Sequence, residues 1–274
     1  MPELPEVENI RAQIQHLAGA RIVSSHTSEL SLRYKLKAAD QASLVGMHIQ
    51  KSGPERLGRY ILIPLVPKGM LMIHLGMTGA VRLDKKGISQ KHDHVSLGLL
   101  HNGSHTYLVY NDARRFGGVS LMDATSLREA KIELRLGDEP TRLIDATRLK
   151  LLYGQSRPIK PLLMDNGLVT GIGNIYASEI CHDAAISPHR LGTRLGAPDY
   201  LNLRRSMHKV IIAAIANGGS TLRNYIHVDG SKGGAQQEHR VYGREGERCS
   251  RCGTTIVTAT QSGRTTFYCP CCQL

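Results

Sequence analysis

Hydrophobic positions in the first twenty residues recur at helical spacing. Val7, Ile10, Ile14 and Leu17 fall on one face and run to Gly19, a residue suited to stopping a helix. From Arg21 to Asp123 the pattern changes to short apolar or alternating runs, RIVSSH, YILIPL, MLMIHLGM, HVSLGLL and TYLVYND, broken by Gly, Pro and Asn. Such runs predict strands, and Asn102-Gly103 between two of them predicts a tight hairpin. A β-sandwich or barrel is therefore expected. Thr125 to Pro140 is charged and ends in GDEP, which reads as a linker. Helical periodicity then returns over Leu143 to Tyr153, Ile159 to Asp165, Ile175 to His182 and Pro198 to Asn217, the last closed by Gly218-Gly219. DGSKGGAQQEH has no hydrophobic period and reads as a loop.

Composition narrows the partners. The 274 residues carry a formal net charge of +12, which favours a polyanion. Charge alone does not separate nucleic acid from an anionic membrane. The longest strongly apolar run, Val210 to Ala216, is far short of the roughly 20 residues a membrane span needs, and the acidic start lacks the features of a signal peptide. A cytoplasmic protein is expected.

Several local patterns carry chemistry. Met1 precedes Pro2, small enough for initiator removal, which would expose a secondary amine. An α-amine titrates near 8 and a lysine near 10.4, so the terminal amine is by far the better nucleophile at neutral pH. Glu3 and Glu6 stand beside it at the positive end of the predicted helix; the same residues also suit an ordinary helix start. Cys249-x2-Cys252 and Cys269-x2-Cys272, sixteen residues apart, have the spacing of two knuckles around one tetrahedral structural zinc. Four thiolates leave no position for catalysis, and Cys181 and Cys271 stay free. Arg264, beside Gly263 at the predicted hairpin tip, suits a phosphate contact or a solvated turn. GIGN places Asn174 to cap the following helix, where a phosphate is also favoured. DARRFGG and HLGMTG put Met77, Arg114, Arg115 and Phe116 on turns between strands, as a base-stack wedge or as plain core. His92 and His94 suit DNA contacts or core positions better than metal.

Together MPELPEVEN, IHLGMTG, KHDHV, DARRFGG, IKPLLMDN, GIGNIYASE, VYGR and the four-cysteine segment with GRTTFYC resemble the formamidopyrimidine-DNA glycosylase and endonuclease VIII family over almost the whole chain. ELPEV, DARRFG and IKPLLMDN resemble the formamidopyrimidine (8-oxoguanine) branch. The resemblance implies an α+β multidomain fold: an N-terminal β-sandwich with its helix (1–124), a linker (125–140), a helix-two-turn-helix domain (141–235) and a zinc finger (236–274). It implies a monomer that acts on double-stranded DNA containing oxidised bases or abasic sites and holds one structural zinc. Pro2 would attack C1′, expel the base and form an iminium that allows β- and δ-elimination, with Glu3 protonating the sugar oxygen and Glu6 supporting the site. Met77, Arg114 and Phe116 would fill the gap left by the flipped base; Asn174 and Arg264 would grip phosphates; His74, His94, Arg115, Lys160 and Tyr242 would lie on the DNA surface. Gly230 to Gly234 would cap the lesion.

Two departures stand out. Arg59 replaces the family's active-site lysine and cannot plausibly give up a proton, and Ala113 replaces a proline before the paired arginines. Three other functions fit parts of the pattern. A protein of this fold could bind damage without cutting it or act on oxidised pyrimidines as endonuclease VIII does, and a zinc-ribbon DNA-binding module would leave Pro2, Glu3 and Glu6 without a role.

Overall fold

Pro5 sits in the first turn of helix α1 (Leu4–Gln13), where its missing N–H breaks no helical bond. Leu4, Val7 and Ile10 are buried, and a 3₁₀ turn (Gln15–Leu17) carries the stripe on to Ile14 and Leu17 before Gly19 ends it at φ +82°. The computed structural model describes residues 1–220 and 239–274, so the Gly230 to Gly234 segment lies outside the described residues.

Nine strands follow: β1 (Arg21–Thr27), β2 (His48–Ile49), β3 (Glu55–Leu57), β4 (Tyr60–Val66), β5 (Met70–His74), β6 (Ala80–Asp84), β7 (Asp93–His101), β8 (Ser104–Asn111) and β9 (Gly118–Met122). All pairings among them are antiparallel, in the order β6-β8-β7-β1-β2-β4-β5-β9, with β3 also on β4. The path turns at β4, whose last residues pair with β2 while Tyr60 to Pro64 pair with β5. One core results. Val81, Leu97, Leu99 and Leu108 from the first half meet Ile61, Ile63, Leu71, Ile73 and Val119 from the second, with Val7 and Ile10 of α1 and Ile14 just after it. This is the expected sandwich with its helix. Asn102 (φ +50°) and Gly103 (φ +76°) make the expected two-residue turn between β7 and β8.

Two short helices interrupt the expected pattern. α2 (Ala38–Leu44) buries Leu44 alone, and α3 (Leu127–Glu133) lies inside the stretch read as linker, with Ser126 accepting the Glu129 N–H at its N-cap. Both lack a long apolar stripe. The helical part holds α4 (Ala146–Tyr153), α5 (Ile159–Leu163), α6 (Asn174–Asp183) and α7 (Ala197–Ala216), then the hairpin of β10 (Val257–Gln261) and β11 (Arg264–Tyr268). The turns through 164–173 between α5 and α6 complete the helix-two-turn-helix. α6 packs on both α7 and β11.

The described residues form two compact units. The first is 1–134 with 218–220; the second is 135–217 with 239–274, so the cysteine module belongs to the same unit as the helices. Among the described residues no helix is long and apolar enough to cross a membrane.

Candidate functional site

The first unit gathers its candidate residues at the start of α1 and at three turns. Glu6 is 2% exposed and uses both carboxylate oxygens: Oε2 accepts the Glu3 N–H at 2.8 Å and Oε1 accepts the Ser220 N–H at 2.6 Å. Gly219, at φ +74°, passes so close that an added Cβ would lie 2.9 Å from Oε1. Glu6 thus ties the N-terminus to residues 219–220, a partner that short-range sequence reading missed because it is over two hundred residues away. Pro2 and Glu3 are buried beside it. Burial is the main reason the N-terminal ammonium at Met1 falls below the usual value of 8.0; Glu3 opposes the shift and Arg59 adds to it.

A cavity of about 390 Å³ opens there, lined by Met1, Arg33, His74, Gly76, Met77 and Phe116. Arg59, in the two-residue turn between β3 and β4, is buried with Nη1 3.8 Å from the Met1 sulfur. His74 ends β5, and its Nδ1 accepts the Gly76 N–H at 3.2 Å. Burial, then the charges of Arg59 and Arg33, lower its pKa to about 4, so it is neutral at pH 7. Its ring lies 5.4 Å from Tyr34 and 4.9 Å from Tyr60, two neighbours that no motif announced.

The loop after β8 is built on Asp112. This fully buried carboxylate accepts from Thr78 Oγ1, Tyr110 O–H and the backbone N–H groups of Arg114 and Gly117. Burial raises its pKa, but these bonds together hold the group below the ordinary carboxylate range. Ala113 in place of proline therefore does not leave the turn unsupported. Arg115 takes the left-handed region at φ +59°, and Phe116 stands 47% exposed with the Arg114 guanidinium 4.6 Å from its ring centre. Met77 is 41% exposed. The wedge candidates are thus presented outward and not packed as core. His94 does not lie on the surface: it is 1% exposed, with Nδ1 2.9 Å from Ser28 Oγ and Nε2 3.0 Å from the Asp112 carbonyl, so it braces the strand.

In the second unit, Arg264 stands exposed after the Ser262-Gly263 turn. Asn174 does not cap α6, whose N-cap is Gly173. Its Nδ2 donates to the Thr265 carbonyl at 2.9 Å and its Oδ1 accepts from Lys160 Nζ at 2.7 Å, which also reaches Thr266 Oγ1 at 2.8 Å. Lys160 is 1% exposed, so it stands behind Asn174 and not on the surface. Lys160, Arg157 and Arg264 line one pocket. Tyr242 is half-buried against Phe267, with ring centres 4.9 Å apart. Its N–H and those of Arg240 and Val241 all donate to the Glu179 carboxylate on α6, a contact that no spacing rule foretold.

The four cysteine sulfurs lie within 4.8 Å of one another, and the Cys249–Cys272 and Cys252–Cys269 separations are 3.9 and 3.5 Å. Tetrahedral zinc with bonds of about 2.3 Å requires sulfurs roughly 3.8 Å apart. The Arg251 and Cys272 N–H groups each point at a ligand sulfur, Cys249 and Cys269, at 3.4 Å. These residues form a structural zinc site. Cys181 is buried on α6, its thiol pushed up to about 12 by burial, and Cys271 is exposed.

A sheet unit with a buried N-terminal site, a helix-two-turn-helix and a four-cysteine zinc module define a class by architecture. Residues 1–119 match the formamidopyrimidine-DNA glycosylase N-terminal domain, 136–225 its H2TH domain and 246–274 the zinc finger found in FPG and IleRS. The chain is 38% identical over 298 residues to formamidopyrimidine-DNA glycosylase of Chelativorans sp. (strain BNC1), and 42% over 277 residues to that of Pseudomonas putida (strain W619); each alignment covers all of both proteins. Its fold matches a Lactococcus lactis Fpg in complex with abasic-site DNA at TM-score 0.87, and a mutant of the Lactococcus lactis protein with Fapy-dG DNA at 0.88. Both are 32% identical and cover 99% of each chain. The chain belongs to the formamidopyrimidine-DNA glycosylase family.

Proposed function

We propose that the chain excises oxidised purines, 8-oxoguanine and formamidopyrimidines, from duplex DNA and then cleaves the strand at the abasic site. The observation that carries this is the placement of the N-terminus. The Met1 ammonium, one residue before the Pro2 nitrogen, feels the charges of Glu3 and Arg59, and Met1 lines a cavity bordered by the outward wedge residues Met77 and Phe116. Removal of Met1 would free that nitrogen and enlarge the cavity, which Met1 itself lines.

The Pro2 nitrogen uses its lone pair to bond C1′ as the C1′–base bond breaks, and the N–H proton that the amine gives up leaves with the base. Glu3 donates a proton to the ring oxygen as the sugar opens, leaving a cationic iminium. A secondary amine cannot form a neutral imine, so the C2′ proton becomes acidic without a cofactor. Loss of that proton expels the 3′ phosphate, and a second elimination expels the 5′ phosphate. Glu6, with both oxygens committed to backbone donors, holds the geometry. Arg59 supplies fixed positive charge for a phosphate and no proton.

In the second unit, Asn174 and Arg264 contact the backbone, with Lys160 orienting Asn174. The relatives' names and the lesion-containing DNA in the solved Lactococcus lactis complexes support this reading. The protein works as a monomer in the cytoplasm, on the nucleoid. The test is a duplex with a single 8-oxoguanine or Fapy-dG, scored for free base by mass and for strand scission on a gel. Both products are expected. Tight binding with neither product would leave a damage-binding protein of the same fold.

A further inference from the structure

Helix α6 does more than carry Asn174 at its first turn. From its last turn His182, itself buried, directs Nε2 to 3.5 Å from the sulfur of Cys249. The next residue accepts a hydrogen bond at its carbonyl from the guanidinium of Arg251, between the two ligands of the same knuckle, at 3.3 Å. One turn earlier Glu179 holds the backbone of 240–242.

Four thiolates around Zn²⁺ leave a net charge of −2 on the cluster, and Cys249 and Cys269 are buried. Charge on a buried sulfur needs donors. The knuckle backbone provides at least one to each of these sulfurs, from within the module. His182 lies 67 positions before Cys249 and belongs to the helix-two-turn-helix.

We propose that His182 is an outer-shell donor to the zinc-bound thiolate of Cys249. Its Nε2 carries the proton and gives an N–H···S bond that orients the ligand and offsets its charge. Metal retention in the C-terminal module then depends on α6, the helix that also places Asn174 against Thr265. His182 is a positioning residue and not a fifth ligand, because the four sulfurs already have the spacing of a closed tetrahedron.

The test uses the full chain. Zinc is partitioned against a chromogenic chelator in the parent, in His182→Phe, which fills the space without a donor, and in His182→Gln, which can return an N–H near the Nε2 position. Outer-shell partners of metal ligands are worth about 10–100-fold in affinity. His182→Phe should lose zinc affinity within that range, His182→Gln should recover most of it, and the sulfur-to-cobalt charge-transfer bands of the cobalt-substituted protein should shift in His182→Phe. Should His182→Phe not fold, the ¹¹³Cd-loaded, ¹⁵N-histidine-labelled parent gives the answer. A scalar coupling from ¹¹³Cd through sulfur to the His182 Nε2 proton is expected. An unprotonated Nε2, a three-sulfur, one-nitrogen cobalt spectrum in the parent, or zinc affinity in His182→Phe within about twofold of the parent would each overturn the proposal.

Discussion

At the scale of single residues, the carboxylates that open α1 divide the work. Glu6 has no oxygen to spare, whereas Glu3 sits at the end where the nucleophile would be. Glu6→Gln replaces one acceptor by a donor that faces a backbone N–H, and misplacement of about an ångström can cost about 10²-fold in rate. A loss of that order in base excision is expected, measured under single-turnover conditions. Glu3→Gln should also cut base excision sharply but still react with a preformed abasic site, where no base has to leave. The terminal amine predicts the acid limb of the pH profile. At Met1 burial favours the neutral amine; a Pro2 amine in the same buried surroundings would be shifted in the same direction, present as nucleophile above its pKa and lost as pH falls through it. The acid limb for adduct formation should therefore fall below pH 8; a limb at or above that value would contradict the placement of the amine. Pro2, Glu3 and Glu6 were legible as a motif, but the backbone partner Ser220 was not, because no local pattern reports a contact made across the whole chain.

At the scale of elements, the turns are held by buried polar hubs. Asp112 fixes the wedge loop with four donors and Lys160 fixes Asn174. Asp112→Ala leaves buried donors unsatisfied, at about 1–3 kcal/mol each for those that find no water. It should lower the thermal midpoint of the first unit and weaken discrimination between damaged and intact DNA. His74 adds a pH signature: with a folded pKa near 4, it stays neutral where the unfolded chain, titrating near 6.5, takes up a proton. Stability from this group is complete above about pH 6.5 and falls as pH drops towards 4. A thermal midpoint that did not decline over that window, or that declined equally in His74→Gln, would count against it. The strands were readable from alternation and the long helices from their stripes. α2 and α3 were not, since each is short and buries one residue. Sequence shows a helix start at Asn174 but not the β11 backbone beside it, and strand alternation does not show the Ser28 and Asp112 partners that hold His94 inside.

At the scale of the whole molecule, the charge of +12 predicts that phosphate neutralisation dominates affinity. With about six phosphates engaged, log K should fall against log salt with a slope of roughly −5. Zinc should hold the last forty residues, whose apolar cluster among the described residues is Val241, Ile256, Phe267 and ligand cysteines. Chelation should abolish DNA binding while the β-sheet unit keeps its own melting transition. The most direct test of the nucleophile is borohydride reduction during reaction with 8-oxoguanine DNA, with the adduct located by peptide mass. The cross-link should map to Pro2, and a single uncleaved residue placed before Pro2 should abolish it while lesion binding persists. A cross-link at a lysine, or one undiminished in the extended protein, would contradict the N-terminal mechanism.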